Sequence, residues 1–455
     1  MSKLPYTWTS CSLLECSNFV RGVTYTKNDA SDIEAPTCLP LVRANNIQAG
    51  KLDLRDLVYV PGTLISADQK LRAGDLVIAT SSGSISVVGK AAQITSSKPM
   101  TFGAFCGVLR PRDGINFRYF GHFFSSQAYR QTVSDLARGV NINNLKRDHF
   151  RSIAIPLAPA QEQQRIADKL DTVLARVDAV NARLARVAPL LKRFRQSVLA
   201  AATSGRLTAD WRITQEAAPL EDVTLQEICQ TGRVVTYGVV KLGEATSGGT
   251  PCLRTSNVRW LRFELKGMKL IDPSLSAEYG RTVLRGGEVL VNVRGTLGGV
   301  AVATEEMAGW NVSREVAVVP VNEAMANPDF IALWIGSDEC QRWLTGVAKG
   351  VAYTGINIED LRALPLRLPE KLEQTEIVRR VELLFAFADR LEARLQAAQT
   401  ATTRLTPSLL AKAFRGELVP QDPNDEPAAE LLRRLAQTKP DTTPRGRKTR
   451  ARQAT

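Results

Sequence analysis

The chain has 455 residues, of which 44% are hydrophobic and 23% are charged, and this length and composition are typical of a globular protein with two or more domains. It contains no run of about 18 apolar residues, and its start lacks the apolar stretch of a signal peptide, so neither a membrane span nor secretion is expected. The formal net charge of +13 favours a polyanionic partner such as nucleic acid.

The cysteines and histidines argue against a metal site. The seven cysteines are scattered without a Cys-x-x-Cys pair, and the only histidines are His122 and His149. We therefore expect no structural zinc, and we interpret the cysteines as reduced thiols of a cytoplasmic protein.

The first segment, up to about Leu157, is predicted to be mixed α/β. Hydrophobic runs bounded by glycine and serine predict strands over Leu39–Val42, Asp75–Thr80 and Ala104–Leu109. A helix is predicted over Phe117–Ala137.

A long helix with a heptad seam follows. Apolar residues recur at alternating steps of four and three, which is the pattern of a helix that packs along another helix. The seam residues are Ile166, Leu170, Val173, Val177, Val180, Leu184 and Val187.

The same seam returns 211 residues later, as part of a repeat. Its members there are Ile377, Val381, Leu384, Ala388, Leu391, Leu395 and Ala398. Other recurring elements are Arg21–Tyr25 with Arg233–Tyr237, Arg43 with Arg254, Asn46 with Asn257, Leu71–Asp75 with Leu284–Glu288, and Arg138–Val140 with Lys349–Val351. A heptad alone is also typical of an ordinary amphipathic helix or of a homodimer, but the constant offset favours an internal duplication of the whole chain.

The order of the repeats predicts how the two helices lie. Pro189 and Pro407 are expected to kink them, and Gly205 and Gly416 are expected to end them. Because the entry and exit of a compact domain are often close, the second helix should start where the first one stops, which gives an antiparallel intramolecular coiled coil with pseudo-twofold symmetry. The seam over 166–187 would be roughly 32 Å long, close to one turn of B-DNA at ~34 Å.

The predicted fold class is mixed α/β (α+β), with two repeated domains joined by two long helices. The predicted divisions are a mixed domain over 1–158, a helical spacer over 159–215, a second mixed domain over 216–368, a second spacer over 369–432 and a basic disordered tail over 433–455, with a last helix at Ala428–Leu435.

No catalytic motif is convincing. Gly83–Lys90 resembles a phosphate-binding loop, but its two glycines are separated by five residues and Ala91 stands where Ser or Thr would ligate magnesium. Asn327–Phe330 is one residue away from an adenine-methyltransferase motif, but no glycine-rich cofactor loop accompanies it, and we interpret the segment as a helix start. The chain is therefore predicted to be non-catalytic.

Several motifs together resemble one family. They are Leu4-Pro5-x-x-Trp8, the Arg21–Tyr25 segment, Asn-Ile-x-x-Leu at 141–145 and 357–361, and Ile-Pro-Leu-x-Pro-x-x-Glu-Gln at the entry to the first long helix, with a variant of it before the second. This plan is similar to that of the specificity subunits of type I restriction–modification enzymes and covers nearly all of the chain. The second copy departs from it by having Leu364 for Ile and one extra residue before Glu373.

The resemblance implies two target-recognition domains, each of which reads one half of an asymmetric bipartite site on double-stranded DNA. It also implies that two methyltransferase subunits and the restriction (motor–nuclease) subunits assemble around the helices. S-adenosylmethionine, ATP and magnesium would then be bound by those partners and no cofactor by this chain. The predicted docking surface consists of cations off the seam: Arg165, Lys169, Arg176, Arg183, Arg186, Arg379, Arg390 and Arg394.

We expect Lys and Arg side chains to contact the DNA phosphates, and Arg, Asn, Gln, Ser and Thr side chains to contact base edges. The candidates are Arg43, Asn45, Asn46, Ser81, Ser82, Ser84, Lys90, Arg138, Asn141 and Asn143 in the first domain, and Arg254, Asn257, Arg294, Thr296, Lys349, Tyr353 and Thr354 in the second. Turn geometry explains Asn46 and Asn257 equally well, and a structural ion pair explains Arg43 and Arg254. Residues that differ between the copies, such as Ser82, Arg294 and Tyr353, are favoured for base choice.

Two other functions are weighed against this one. A DNA methyltransferase or restriction–methyltransferase fusion would need the missing cofactor loop and Asn-Pro-Pro motif. A coiled-coil adaptor without nucleic acid would explain the seam, but it would not explain the duplicated mixed domains or the charge.

Overall fold

The computed structural model describes residues 4–48, 50–84, 86–138, 144–348 and 355–438. The chain divides into two compact units, one formed by Met1–Arg183 with Ala398–Thr455 and the other by Leu184–Ala397. Each unit therefore contains one mixed domain together with parts of both long helices.

The described residues of the first half form short strands and helices before the first long helical region. The strands are β1 (Thr9–Ser12), β2 (Ser17–Arg21), β3 (Cys38–Val42), β4 (Ile47–Gln48), β5 (Lys51–Leu52), β6 (Val58–Pro61), β7 (Leu76–Ala79), β8 (Ala91–Gln93), β9 (Thr101–Phe102), β10 (Cys106–Pro111) and β11 (Ala154–Leu157). The helices are α1 (Leu13–Cys16), α2 (Phe117–Phe123), α3 (Gln127–Arg138), α4 (Arg147–Ser152), α5 (Ala160–Ala185), α6 (Val187–Thr203) and α7 (Ala209–Gln215).

The second half repeats this series. Its strands are β12 (Glu221–Thr224), β13 (Thr236–Tyr237), β14 (Thr250–Leu253), β15 (Val258–Arg259), β16 (Arg262–Phe263), β17 (Lys269–Ile271), β18 (Val289–Asn292), β19 (Val300–Val302), β20 (Asn311–Val312), β21 (Val316–Val319) and β22 (Pro365–Leu368). Its helices are α8 (Pro273–Glu278), α9 (Pro328–Ile335), α10 (Asp338–Val347), α11 (Ile358–Arg362), α12 (Lys371–Ala413) and α13 (Ala428–Gln437).

The sheets of the two halves have the same topology. The first half has a four-stranded sheet in the order β2-β10-β7-β8 and a three-stranded sheet β6-β3-β9, and the second half has β13-β21-β18-β19 and β17-β14-β20. In each three-stranded sheet one pair is parallel, β3 with β9 and β14 with β20. The first and last strands of each half also pair, β1 with β11 and β12 with β22. The predicted mixed class and internal duplication are confirmed at the level of strand order.

One predicted match between the copies is wrong. Arg21 pairs with Gly107 on β10, whereas Tyr237 pairs with Ala317 at the corresponding place on β21. Tyr237 is therefore the counterpart of Arg21, and the alignment of Arg21–Tyr25 with Arg233–Tyr237 is four residues out of register. Strand register is set by the hydrogen-bonded ladder, and a short run of similar residues does not fix it.

The helix predicted over Phe117–Ala137 is divided in two. Asn116 caps α2 by accepting from the backbone N–H groups of Arg118 and Tyr119. α2 ends at Phe123, and the Ser126 hydroxyl then accepts from the backbone N–H of Tyr129 at 3.2 Å in the first turn of α3. Serine competes for backbone hydrogen bonds in this way, which favours a new helix start.

The long helices differ at their prolines. The first is interrupted at Arg186, between α5 and α6, because a proline at 189 clashes with the carbonyl four residues earlier, at Ala185. The second, α12, continues through Pro407 without interruption. Gly205 and Gly416 follow the helices in the left-handed conformation, with φ of +73° and +75°, so their prediction as helix terminators is confirmed.

Each unit has one main hydrophobic core that includes both long helices. In the first unit, aromatic residues of α2 and α3 cluster with Ile166 and Leu170 of α5 and with Leu410 near the end of α12. In the second unit, the strands around β18 cluster with Val198 of α6 and with Ile377 near the start of α12. Within each unit, the beginning of one long helix thus lies in the same core as the end of the other.

The predicted seam residues are mostly covered. Those that are buried are Ile166, Leu170, Val177, Ile377, Val381, Ala388 and Leu395, and those that are half-buried are Val173, Leu184, Val187, Leu384, Leu391 and Ala398. Val180 is exposed, at 41%.

The remaining expectations concern the ends and the cysteines. α13 (Ala428–Gln437) agrees with the predicted last helix, and the tail beyond 438 lies outside the described residues. All seven cysteines are free. Among the described residues, none of the helices has the length and apolar character needed to span a bilayer.

Candidate nucleic-acid interface

A cleft of about 940 Å³ opens on the first mixed domain. Arg43, Asn45, Ser81 and Ser82, four of the predicted DNA-contacting residues, line it together. The other lining residues are Thr24, Tyr25, Lys27, Ala30, Asp32, Ala44, Val58, Gly83, Gly103, Ala104, Phe105 and Cys106. Hydroxyl, amide and guanidinium groups on one concave surface are the set that base edges and phosphates require.

Arg43 and Asn45 lie on one wall of this cleft, and Asn46 holds the turn that carries them. The Asn46 side-chain oxygen accepts from the backbone N–H of Arg43 at 2.8 Å, and its Nδ2 donates to the carbonyl of Asp56 at 2.9 Å. Arg43 Nη2 donates to Asp56 Oδ2 at 3.2 Å, and Asn45 Nδ2 donates to the same oxygen at 3.1 Å. This network holds the Arg43 guanidinium at the rim of the cleft.

The second domain repeats the arrangement. The side-chain oxygen of Asn257 accepts from the backbone N–H of Arg254 at 3.0 Å, and its Nδ2 donates to the carbonyl of Glu264 at 2.9 Å. Arg254 Nη2 donates to the carbonyl of Gly267 at 2.8 Å. In both copies the Nε of the arginine is buried and has no hydrogen-bond partner among the described residues.

Two predicted site residues are corrected by these contacts. Asn46 is 2% exposed and Asn257 is 0% exposed, and their amides are used within the turns. A side chain buried in this way exposes no group to a base, so both asparagines shape the turn that carries Arg43 or Arg254.

The other described candidates lie at or near the surface. Ser84 and Thr296 are exposed, and Lys90 is half-buried. Arg294 is exposed, and its guanidinium carbon lies 5.6 Å from the centroid of the Tyr237 ring, which is a cation–π distance. Whether these side chains touch DNA stays a prediction.

Several candidates lie outside the described part. They are Asn141, Asn143, Lys349, Tyr353 and Thr354, and the side chain of Arg138 is likewise not described. The residues that follow these two segments pair with the loops after β7 and β18: Asn144 forms a β-bridge with Ser81, and Gly355 forms one with Arg294.

A tight turn beside these loops was missed by the sequence analysis. Phe105, which is 69% exposed, lines the first cleft, and its carbonyl accepts from the backbone N–H of Ser81 at 3.1 Å. In the second domain, the carbonyl of Glu315 accepts from the backbone N–H of Arg294 at 3.3 Å. The two residues do not resemble each other, so only the backbone hydrogen bonds reveal their equivalence.

The repeated Glu-Gln pair at the start of each long helix has a structural role. Gln163 Oε1 accepts from the backbone N–H of Asn116 at 2.9 Å, and Gln374 Oε1 accepts from that of Asn327 at 2.6 Å. Gln163 thereby joins α5 to the start of α2, and Gln374 joins α12 to the start of α9. Asn327 also caps α9, so the predicted helix start at this segment is confirmed.

The neighbouring glutamates differ in their partners. Glu162 is 1% exposed and accepts from Trp8 Nε1 at 2.9 Å and from Gln421 Nε2 at 2.6 Å. Burial raises the pKa of this carboxyl, and the two hydrogen bonds oppose that rise. Glu373 is fully buried and accepts from Thr208 Oγ1 at 2.7 Å and from Arg212.

Two cations of the predicted docking surface are engaged within the chain. Arg165 forms an ion pair with Asp425 at 2.5 Å, and Arg379 forms one with Glu376 at 2.7 Å. Within the described ranges, His, Cys, Asp and Glu side chains form no group of three or more that could hold a metal ion.

Comparison with known proteins identifies the family. The family model described as the type I restriction modification DNA specificity domain matches the chain twice, at residues 5–188 and 220–398. The type I restriction enzyme EcoKI specificity subunit of Escherichia coli (strain K12) is 38% identical over 425 residues, which cover 92% of this chain and 91% of that protein. The StySPI specificity subunit of Salmonella potsdam is 37% identical over 442 residues, with 92% and 91% covered.

Solved structures share the fold. A chain from a study of complex assembly and conformational transition of the type I R-M system has a TM-score of 0.64 at 17% identity, covering 92% of this chain and 100% of its own. The HsdS subunit from Thermoanaerobacter tengcongensis has a TM-score of 0.58 at 18% identity, with 91% and 98% covered. The double family match and the relatives that span nearly the whole chain lead to one conclusion: the chain belongs to the family of type I restriction–modification DNA specificity subunits.

Proposed function

We propose that this chain selects the DNA target of a type I restriction–modification complex, with one mixed domain reading each half of an asymmetric bipartite site. The observation that carries the proposal is the duplicated arginine turn, together with the repeated backbone contacts beside it. Arg43 and Arg254 are held by matching turns, whereas the neighbouring positions carry Ser81 in one copy and Arg294 in the other. A common frame with different side chains suits two readers of different sequences.

The two long helices form an antiparallel intramolecular coiled coil that sets the distance between the half-sites. Packing inside each unit supports this arrangement, because Ile166 shares a core with Leu410 and Val198 shares a core with Ile377. In the second unit, Arg195 of α6 also forms ion pairs with Asp389 at 2.5 Å and with Glu392 at 3.0 Å, both on α12.

The chain supplies recognition, and its partners supply the chemistry. Two methyltransferase subunits and the restriction subunits dock on it, and S-adenosylmethionine, ATP and magnesium are bound by those partners. The purified chain should therefore transfer no methyl group by itself, and methylation by the isolated chain would favour the fusion-enzyme alternative.

The test is a domain exchange in the reconstituted complex. Residues 1–157 are replaced by the corresponding segment of the Escherichia coli K12 relative, which is 38% identical to this chain. The methylated sequence should change in one half-site, with the other half and the spacing unchanged. The matched control replaces residues 216–368, which should change the opposite half. A change of both halves by a single exchange would contradict the assignment of one domain to each half-site.

A further inference from the structure

We propose that Phe105 and Glu315 occupy the same position in the two domains and read bases in the major groove: Phe105 contacts the methyl group of a thymine, and Glu315 accepts a hydrogen bond from the amino group of a cytosine. This inference rests on the proposed function, because it names two of the side chains through which the two half-sites are distinguished.

The equivalence of the two residues comes from strand register. Phe105 directly precedes β10, whose Cys106 pairs with Ala79 on β7. Glu315 directly precedes β21, whose Val316 pairs with Asn292 on β18. β10 and β7 take the same places in the first four-stranded sheet as β21 and β18 in the second.

Backbone hydrogen bonds fix the turn itself in both copies. The N–H of Cys106 donates to the carbonyl of Gly103 at 2.8 Å, and the N–H of Val316 donates to that of Ser313 at 3.0 Å. Gly103 and Ser313 each form a parallel β-bridge, with Val23 and Val239 respectively. The turns over 103–106 and 313–316 are therefore built alike and present their third residue in the same way.

This third residue lies beside the other candidate contacts. Phe105 and Ser81 line the same cleft, together with Arg43. In the second domain, the backbone N–H of Arg294 donates a hydrogen bond to the carbonyl of Glu315. Thr255 Oγ1 lies 3.5 Å from Glu315 Oε2. Thr255 follows Arg254 as Ala44 follows Arg43, and Ala44 lines the same cleft as Phe105, so in both domains this turn lies near the residue that follows the matched arginine.

The exposure of Phe105 points to a binding role. Its side chain is 69% exposed at the mouth of a cleft whose other predicted contacts are polar, so it contributes little to the hydrophobic core. Apolar contact by phenylalanine is one of the ways in which proteins recognise the C5-methyl group of thymine. The phenyl ring has no donor or acceptor, so it cannot serve a polar base edge.

The charge of Glu315 points to a different base. A carboxylate near DNA is repelled by phosphates, and it is favourable there only if it accepts hydrogen bonds from base donors. Among the described residues, Glu315 has no ion-pair partner, and its contact with Thr255 is at the limit of hydrogen bonding. Its carboxylate oxygens are therefore able to accept from the N4 amino group of cytosine, which is the pairing that glutamate makes in the major groove.

The test uses the complex of the full chain with its methyltransferase subunits and measures the base preference at each position of the methylated site. Phe105→Ala should reduce the preference at one A·T pair of the first half-site about tenfold. Glu315→Ala should do the same at one G·C pair of the second half-site. Glu315→Gln should shift the preference at that pair towards A·T, because glutamine makes a bidentate contact with adenine.

Matched controls exclude general surface effects. Tyr6→Ala removes an aromatic side chain that is 80% exposed in the first domain, and Glu306→Gln neutralises an exposed glutamate of the second domain; both should leave the preferences unchanged. The inference is overturned if the Phe105 and Glu315 variants keep the wild-type preferences, lose activity equally at all sites, or change the opposite half-site. If the wild-type complex methylates no bipartite sequence, it is the proposed function that fails.

Discussion

In the first domain the loop after β7 and the turn before β10 place Ser81 and Phe105 in one cleft with Arg43, whereas in the second domain the same backbone positions carry Arg294 and Glu315, and Glu315 contacts Thr255, the residue after Arg254. The arginine turns share their main hydrogen bonds, and in each the arginine Nε is buried with no partner among the described residues. The shared positions therefore form the structural frame of each domain, which here means the arginine turns and the sheets that carry them. The positions that differ are the ones to vary when the specificity of either half is to be changed.

The frame also contains a buried ion pair whose two copies are built differently. Asp75 pairs with Arg110 at 2.7 Å, and Glu288, at the matching position, pairs with Arg233 at 3.0 Å. Both carboxylates are 1% exposed. Arg110 belongs to β10, whereas Arg233 lies in the segment before β13, so the carboxylate occupies the same position in both copies and the arginine does not.

The largest effect is predicted for removal of these arginines. Arg110→Ala and Arg233→Ala each leave a buried carboxylate without its cation, which should lower the free energy of unfolding of the affected unit by about 3 kcal/mol. Urea unfolding of the two variants measures this loss.

The control for this pair is Arg55→Ala, which breaks an ion pair with Asp53 in which the arginine side chain is 90% exposed. Its effect on unfolding should be far smaller, because solvent screens exposed pairs. If Arg110→Ala or Arg233→Ala were as mild as this control, the buried pair would not be a stabilising part of the frame.

A smaller difference is predicted for the glycines that end the long helices. Both have positive φ, so alanine at either position should cost about 1 kcal/mol of backbone strain. A Cβ at Gly205 would have its nearest neighbour, Arg212 Cδ, at 4.0 Å, whereas one at Gly416 would overlap the ring of Pro5. Gly416→Ala should therefore cost about 1–3 kcal/mol more than Gly205→Ala.

Thermal unfolding of the two glycine variants provides the measurement. Equal losses of stability would show that the segment around Pro5 moves away freely. A larger loss for Gly416→Ala would show that the chain beyond α12 is packed firmly against the N-terminal segment.

The smallest effect is a pH dependence at the start of the first long helix. Because the pKa of the Glu162 carboxyl is raised by burial, the folded state holds a proton there at pH values where the unfolded chain, with a glutamate pKa of about 4.3, has lost it. Glu162 should therefore make its largest contribution to the free energy of unfolding below about pH 4.3, the unfolded pKa. That contribution should decline as the pH rises from there through the raised folded-state pKa. Stability relative to Glu162→Gln, measured by urea unfolding from pH 4 upwards, should fall with rising pH.

The comparison variant for the pH series is Glu417→Gln. Arg415 lowers the pKa of the Glu417 carboxyl, so this residue should stabilise the fold above its unfolded pKa and lose that effect as pH falls. Stability relative to Glu417→Gln should accordingly rise with pH only up to about 4.3 and stay level above it, where stability relative to Glu162→Gln still falls. The same slope for both glutamates would contradict the assigned environment of Glu162.

The fold could be predicted from the sequence where the signal was local or repeated. The heptad period, the constant offset between its two copies and the helix-ending Gly205 and Gly416 are all visible without a structure. The break near Pro189 agrees with proline stereochemistry, but α12 continues through Pro407, so a proline alone does not decide whether a long helix is interrupted. The division of the Phe117–Ala137 helix was not predicted, because it depends on competition by Ser126 for backbone hydrogen bonds.

The site was harder to predict than the fold. Arg43, Asn45, Ser81 and Ser82 were chosen by residue type, and they do meet in one cleft. Phe105 and Glu315 were missed because their equivalence depends on strand register and leaves no trace in residue similarity. The assignment of Asn46 and Asn257 failed because residue type alone does not show whether an amide is already used within a turn.

The most direct measurement of the central claim is the distribution of methylated adenines in a genome modified by the complex that contains this chain. The account predicts one sequence with two defined halves, different from each other and separated by a fixed number of undefined bases. A continuous sequence without a gap, or two identical halves in palindromic order, would contradict the claim that two unlike domains of this chain read one half each.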